Sequence, residues 1–135
     1  MKRALSLISR ILDKGNRFII DQFEANGIEG LVPSHGDILA VLYACEKSTM
    51  KDIAEKIHRT KPTVTVLVDK LEKLGYVCRE KSTDDSRVTF IMLTDKGKSF
   101  KPVFENISRN LNNMLYNNLS DDESELIDKL LEKMV

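Results

Sequence analysis

The sequence predicts a mainly α chain with a small two-stranded β wing: a winged helix-turn-helix carried between long N- and C-terminal helices. Three observations lead there. Apolar residues recur at helical spacing over most of the 135 residues. A short helical stretch, a brief turn and a second, cleaner helical stripe follow one another between residues 49 and 75. The period then changes to that of strands over residues 76–93, around an all-polar tip.

Residues 4–24 place Leu5, Ile8, Leu12, Ile19 and Phe23 roughly on one helical face, widened by Ile11, Phe18 and Ile20, and Asn26-Gly27 and Gly30 break the helix. Pro33-Ser34-His35-Gly36-Asp37 is a start signal, with Ser34 as the expected cap and Asp37 in the first turn. The helix it opens carries Ile38, Leu39, Val41, Leu42 and Cys45. Thr49 caps a short helix bearing Ile53, Ala54 and Ile57, and His58-Arg59 turns the chain. Thr60 caps the next helix, where Pro62 is tolerated because first-turn donors are free anyway. Val64, Leu67, Val68, Leu71 and Leu74 make its apolar stripe, and Gly75 stops it. Tyr76–Glu80 and Arg87–Leu93 are strand-forming, joined by the polar run Lys81–Ser86. Thr94-Asp95-Lys96-Gly97 starts a helix running towards Asn118, with Pro102 predicting a kink or a late start. Ser120-Asp121-Asp122-Glu123 is a capping box opening a last helix with Leu126, Ile127, Leu130, Leu131 and Met134.

Composition narrows the function classes. Hydrophobic residues are 41 % and charged residues 31 %, too apolar for disorder and too polar for a membrane protein. No apolar run reaches the length of a membrane span, and charges interrupt any N-terminal signal core, so a cytoplasmic location is expected and no membrane partner. Cys45 and Cys78 are too few for a disulfide framework, and with His35 and His58 they make no metal-ligand spacing. No phosphate loop, nucleophile elbow or carboxylate pair is present, so no enzyme, metal or cofactor is expected. The net charge is zero, but residues 47–101 carry +5 between ends of −1 and −4. That asymmetry points to a nucleic-acid partner for the middle of the chain.

A helix suits the DNA major groove when one stripe packs on its own domain and the other shows short polar or basic side chains. The helix from Thr60 meets this, with Lys61, Pro62, Thr65 and Asp69 expected opposite the apolar stripe and Thr63 and Val66 flanking. Thr65 is expected to meet base edges and Lys61 a phosphate. At the hairpin tip Lys81, Ser82, Thr83 and Arg87 are donors for phosphate or minor groove. Asp85, two residues from Arg87, could orient it; a solvated mobile turn is the other reading of this tip.

Ile53-Ala54-Glu55-Lys56-Ile57, Lys61-Pro62-Thr63-Val64-Thr65, Leu67 through Val77, the pair Asp85 and Arg87, and Leu93-Thr94-Asp95-Lys96-Gly97 together resemble the signature of MarR-family winged-helix transcriptional regulators. The resemblance covers nearly the whole chain. It implies an obligate homodimer on palindromic DNA, with repression relieved by a small ligand or by oxidation. It also implies that Asp85 helps fix the wing while Arg87 enters the minor groove. Two departures stand out: Ser86 and Val66 occupy positions where family members often carry a basic residue. The redox branch senses through a cysteine in the first helix, and this chain has none before Cys45. Cys45 and Cys78 are expected to be packed.

The expectation is a single domain over residues 1–135. Residues 34–97 form the DNA-binding lobe, and 1–30 and 98–135 form dimerisation helices through Leu5, Ile8, Leu12, Leu126, Ile127, Leu130 and Leu131, which hold more apolar surface than the ends can hide alone. The DNA-binding set is Thr49, Thr60, Lys61, Pro62, Thr63, Thr65, Val66, Lys70, Lys81, Ser82, Thr83, Asp85 and Arg87. The expected protein is a repressor with double-stranded DNA, a second copy and a small-molecule effector as partners. The alternative is a winged-helix adaptor that binds protein and not DNA.

Overall fold

The computed structural model describes residues 1–135. Helix α1 spans Ala4–Ala25 and α2 Pro33–Ala44; the short strand β1, Lys47–Thr49, leads into α3, Met50–Ile57, and α4, Lys61–Lys73. Strands β2, Val77–Lys81, and β3, Thr89–Leu93, form a hairpin, followed by α5, Asp95–Ser99, α6, Lys101–Tyr116, and α7, Asp121–Met134.

The sheet has three antiparallel strands in the order β1-β3-β2, one more than expected. Ser48 and Arg79 both lie opposite Ile91, on its two sides. β1 escaped the sequence because three residues carry no readable period; only the open edge of β3 makes Lys47–Thr49 a strand.

Threonines start most lobe helices. Thr49 Oγ1 accepts from the Asp52 amide at 3.1 Å, Thr60 Oγ1 from Thr63 at 3.4 Å, and Thr94 Oγ1 from Gly97 at 3.2 Å. Helix α2 departs from this pattern. Pro33 occupies its first turn and Val32 is extended before it, so the helix opens ahead of Ser34. The Val32 amide donates to Nδ1 of buried His35 at 2.9 Å, a bond back to the residue before the helix, and Ser34 makes no cap. Pro102 likewise falls in a first turn, that of α6, after a break at Phe100. Ser120 and Glu123 form the expected capping box.

Ile38, Leu39, Ile53, Val64, Val68, Leu71, Val77 and Ile91 are sealed in a core drawn from α2, α3, α4 and the sheet. Gly97 locks α5 onto this core. A Cβ there would stand 2.2 Å from the Tyr76 carbonyl oxygen, so only glycine fits. Around it, Thr94 Oγ1 donates to the Gly75 carbonyl, Lys96 Nζ to Leu74 O at 2.7 Å, and Tyr43 Oη to Gly97 O at 2.7 Å. Burial pushes the Tyr43 hydroxyl up to about 12, so it stays a donor at neutral pH.

The ends are different. Residues 1–14 are all exposed, and α7 has no buried residue. Leu5, Ile8, Leu12, Leu126, Leu130 and Leu131 stand open, Leu5 at 82 %, while Ile127 is half-buried within the chain. No helix is long and apolar enough to cross a membrane.

Candidate nucleic-acid interface

The outer face of α4 follows from its stripe. Val64, Val68 and Leu71 are fully buried and Leu67 half-buried, which turns Pro62, Thr63, Val66, Asp69 and Lys70 outward. The centre of that face is Val66, 68 % exposed. Thr65 is half-buried at its edge, and its hydroxyl donates back to the Lys61 carbonyl at 2.9 Å. This reverses the expected placement of the two: neighbouring residues stand about 100° apart around a helix, and the packed stripe lies further round than its spacing alone indicates.

The first turn of α4 is self-bonded. Thr60 caps it, and the Thr60 hydroxyl also donates to Thr63 Oγ1 at 2.8 Å. Lys61, Pro62 and Thr63 are exposed there. Lys70 is exposed too, with its stem leaning towards Gly30. Thr49 lies half-exposed at the start of α3, committed to its cap.

An ion-pair clamp holds the hairpin against α4. Arg79 on β2 reaches Asp69 at 2.6 Å and Glu72 through its other terminal nitrogen at 2.5 Å. The Asp69 hydrogen bond, with Glu72 behind it, pushes the Arg79 guanidinium further up, so it is always charged. This fork occupies the carboxylate that would otherwise face a phosphate from α4. Arg79 was missed in the sequence. Asp69 and Glu72 at i, i+3 were a visible signal, but their cation lies on another element whose register only the sheet decides.

At the tip, Ser82 Oγ accepts from the amides of Asp84 and Asp85, closing a tight turn. Asp85 then takes Arg87 by a fork: Nε to Oδ1 and Nη2 to Oδ2, each 3.1 Å, with the Arg87 amide also on Oδ1 at 3.0 Å. These bonds hold the Asp85 carboxyl below the usual carboxylate range. The Arg87 side chain remains 89 % exposed, and Lys81 and Thr83 are exposed beside it. Strand β2 turns Cys78 outward, exposed and not packed as expected; Cys45 is half-buried with Lys56 Nζ at 3.2 Å from its sulfur.

A concavity of about 690 Å³ runs along α1, lined by Leu7, Ile11, Phe18 and Met114 together with charged residues of both signs from Arg10 to Asp21. It lies on the exposed terminal helices and not against α4 or the hairpin. No group of His, Cys, Asp and Glu side chains could hold a metal ion.

The family model described as MarR family matches residues 31–89. The HTH-type transcriptional regulator YcgE of Bacillus subtilis, itself uncharacterized, is 32 % identical over 93 % of this chain and 80 % of its own. The chain belongs to the MarR family. SarZ of Staphylococcus saprophyticus, another HTH-type transcriptional regulator, is 35 % identical over 67 % of this chain, an alignment spanning 60 % of SarZ. Among solved MarR structures, a mutant MarR from E. coli complexed with operator DNA superposes with a TM-score of 0.86 at 20 % identity, covering 96 % of this chain and 91 % of that one. That likeness shows the MarR winged-helix fold.

Proposed function

We propose that this MarR-family regulator is a repressor that binds palindromic duplex DNA as a homodimer and is released by a small-molecule ligand. The observation that carries the reading is the clamp through Arg79. It makes α4 and the wing one rigid unit, with Lys61 at one end, Lys81 and Arg87 at the other, and the acidic groups Asp69, Glu72 and Asp85 each engaged by an arginine. In this reading α4 lies in the major groove, Lys61 meets a phosphate, and Arg87, aimed by Asp85, enters the adjacent minor groove, where a guanidinium reads width and negative potential. Residues 34–97 are the DNA-binding lobe, and 1–30 and 98–135 the dimerisation helices. The exposed leucines of α1 and α7 support a second copy as their cover, since apolar surface of this extent is costly in water. Two lobes related by a twofold axis would place their recognition helices about one DNA turn apart. Release by a ligand is what membership of the family implies.

Selection of bound sites from random duplex DNA tests this directly. The expected motif is an inverted repeat with half-sites spaced by about one helical turn, roughly 10–10.5 base pairs. No enriched motif, together with no salt-dependent retention on heparin, would replace the reading by that of a protein–protein adaptor.

A further inference from the structure

The outward face of α4 is short of hydrogen-bond donors. The hydroxyl protons of Thr60 and Thr65 are given to Thr63 Oγ1 and to the Lys61 carbonyl. Pro62 has no amide proton to give. Asp69 is held by Arg79. Val66 stands at the centre of this face, two-thirds exposed, where its apolar side chain contributes nothing to the core. A single exposed valine is ordinary on a protein surface. This one differs in its setting, because the Thr60, Thr65 and Asp69 side chains around it are engaged within the protein, and the donors left on this face are the Thr63 hydroxyl and the Lys61 and Lys70 ammonium groups.

In the major groove, one feature of a base pair is read without any hydrogen bond: the C5-methyl group of thymine, which apolar side chains contact. We infer that Val66 is a specificity-determining residue that recognises a thymine methyl in each operator half-site. The inference rests on the DNA-binding reading above and deepens it. Sequence preference at that base pair comes from methyl burial against Val66, while Lys61 and Lys70 supply charge that carries no sequence information. It also gives the departure at position 66 a role: a valine there exchanges a charge for a methyl contact.

The test uses the full chain and the duplex recovered from random-sequence selection, with each thymine replaced in turn by uracil. That change removes the methyl group and leaves pairing and the hydrogen-bond pattern alone. One thymine per half-site should be sensitive, with affinity falling about fourfold for one half-site and about fifteenfold for both, the value of one buried carbon per site. Val66→Ala should bind thymine and uracil duplexes alike, and Val66→Ile should keep the discrimination. Both substitutions are at an exposed position and leave the core untouched. Three results would overturn the inference while leaving DNA binding intact: a half-site without thymine, tolerance of uracil at every position, or a uracil penalty that survives Val66→Ala. Failure to recover any duplex motif would overturn the proposed function, and this inference with it.

Discussion

Between residues 31 and 100 the apolar side chains close on one another; outside those limits most of them face outward. Sixteen of the nineteen buried residues lie in this central lobe. In α1 and α7, by contrast, Leu5, Ile11, Leu12, Leu126 and Met134 are each more than half exposed, though the helices are as regular as those of the lobe. Helical regularity needs only local hydrogen bonds and caps, whereas burial needs a surface to pack on. The lobe has that surface in its three-stranded sheet and in α2. The ends have each other only in part, through the inner face of α6 and a tie from the Tyr116 hydroxyl to Asp128.

The sharpest way to break this contrast is to make the ends polar. Ile11→Asp with Leu12→Asp should leave the helical circular dichroism of the lobe intact and convert the protein to monomer in sedimentation. DNA affinity should fall by about 100-fold or more, because two linked half-site contacts become one. A dimer that survives this pair of changes would place the second copy elsewhere.

Gly97→Ala asks the converse question of the lobe. Its Cβ cannot be accommodated 2.2 Å from the Tyr76 oxygen, so the turn holding α5 must shift. A loss of about 1–3 kcal/mol is expected in denaturant titration, the usual cost of overpacking. Folded protein at high concentration should still sediment as wild type.

A third comparison lies within the lobe, between its rigid helix and its exposed tip. Arg87→Ala should leave stability unchanged and lower the salt slope of log K by about 2 for a dimer, one charge per wing. Asp85→Ala separates orientation from repulsion: weaker binding supports the aiming role, and tighter binding at fixed salt removes it. Because Arg87 lowers the Asp85 carboxyl, the pair persists through the ordinary carboxylate range and is lost only as pH falls through that depressed value. DNA binding should therefore keep its wing contribution well into mild acid.

The smallest effect belongs to His35. Burial, followed by the nearby charge of Lys70, holds its imidazole below the ordinary histidine value. The unfolded chain then binds more protons than the folded one just below pH 6.5, so stability is full above that pH and declines as the pH drops. Protonated Nδ1 could no longer accept from Val32. Denaturant midpoints at pH 7.5 and 5.5 should differ in the wild type and converge in His35→Gln. Equal midpoints in the wild type would show that folding does not perturb the imidazole, and a higher midpoint at pH 5.5 would show that the folded lobe favours its charged form.

Local chemistry was legible residue by residue. The caps at Thr49, Thr60, Thr94 and Ser120, the stop at Gly75, the stripe through Val64, Val68 and Leu71, and the polar tip between two strand-forming runs all follow from interactions within four residues or from a single period. The two-residue spacing of Asp85 and Arg87 is of the same kind, and the structure joins them by a fork. Features that needed a distant partner were not legible. β1 exists because β3 has a free edge, Arg79 meets Asp69 and Glu72 because register sets β2 beside α4, and His35 bonds back to the Val32 amide because the core encloses it. The position of Val66 at the centre of the outer face, with Thr65 turned to the edge, belongs to this second group. Periodicity says that a helix has two faces, but the packing of α4 on α2, α3 and the sheet chooses the rotation that decides which residue stands at the middle of the exposed one.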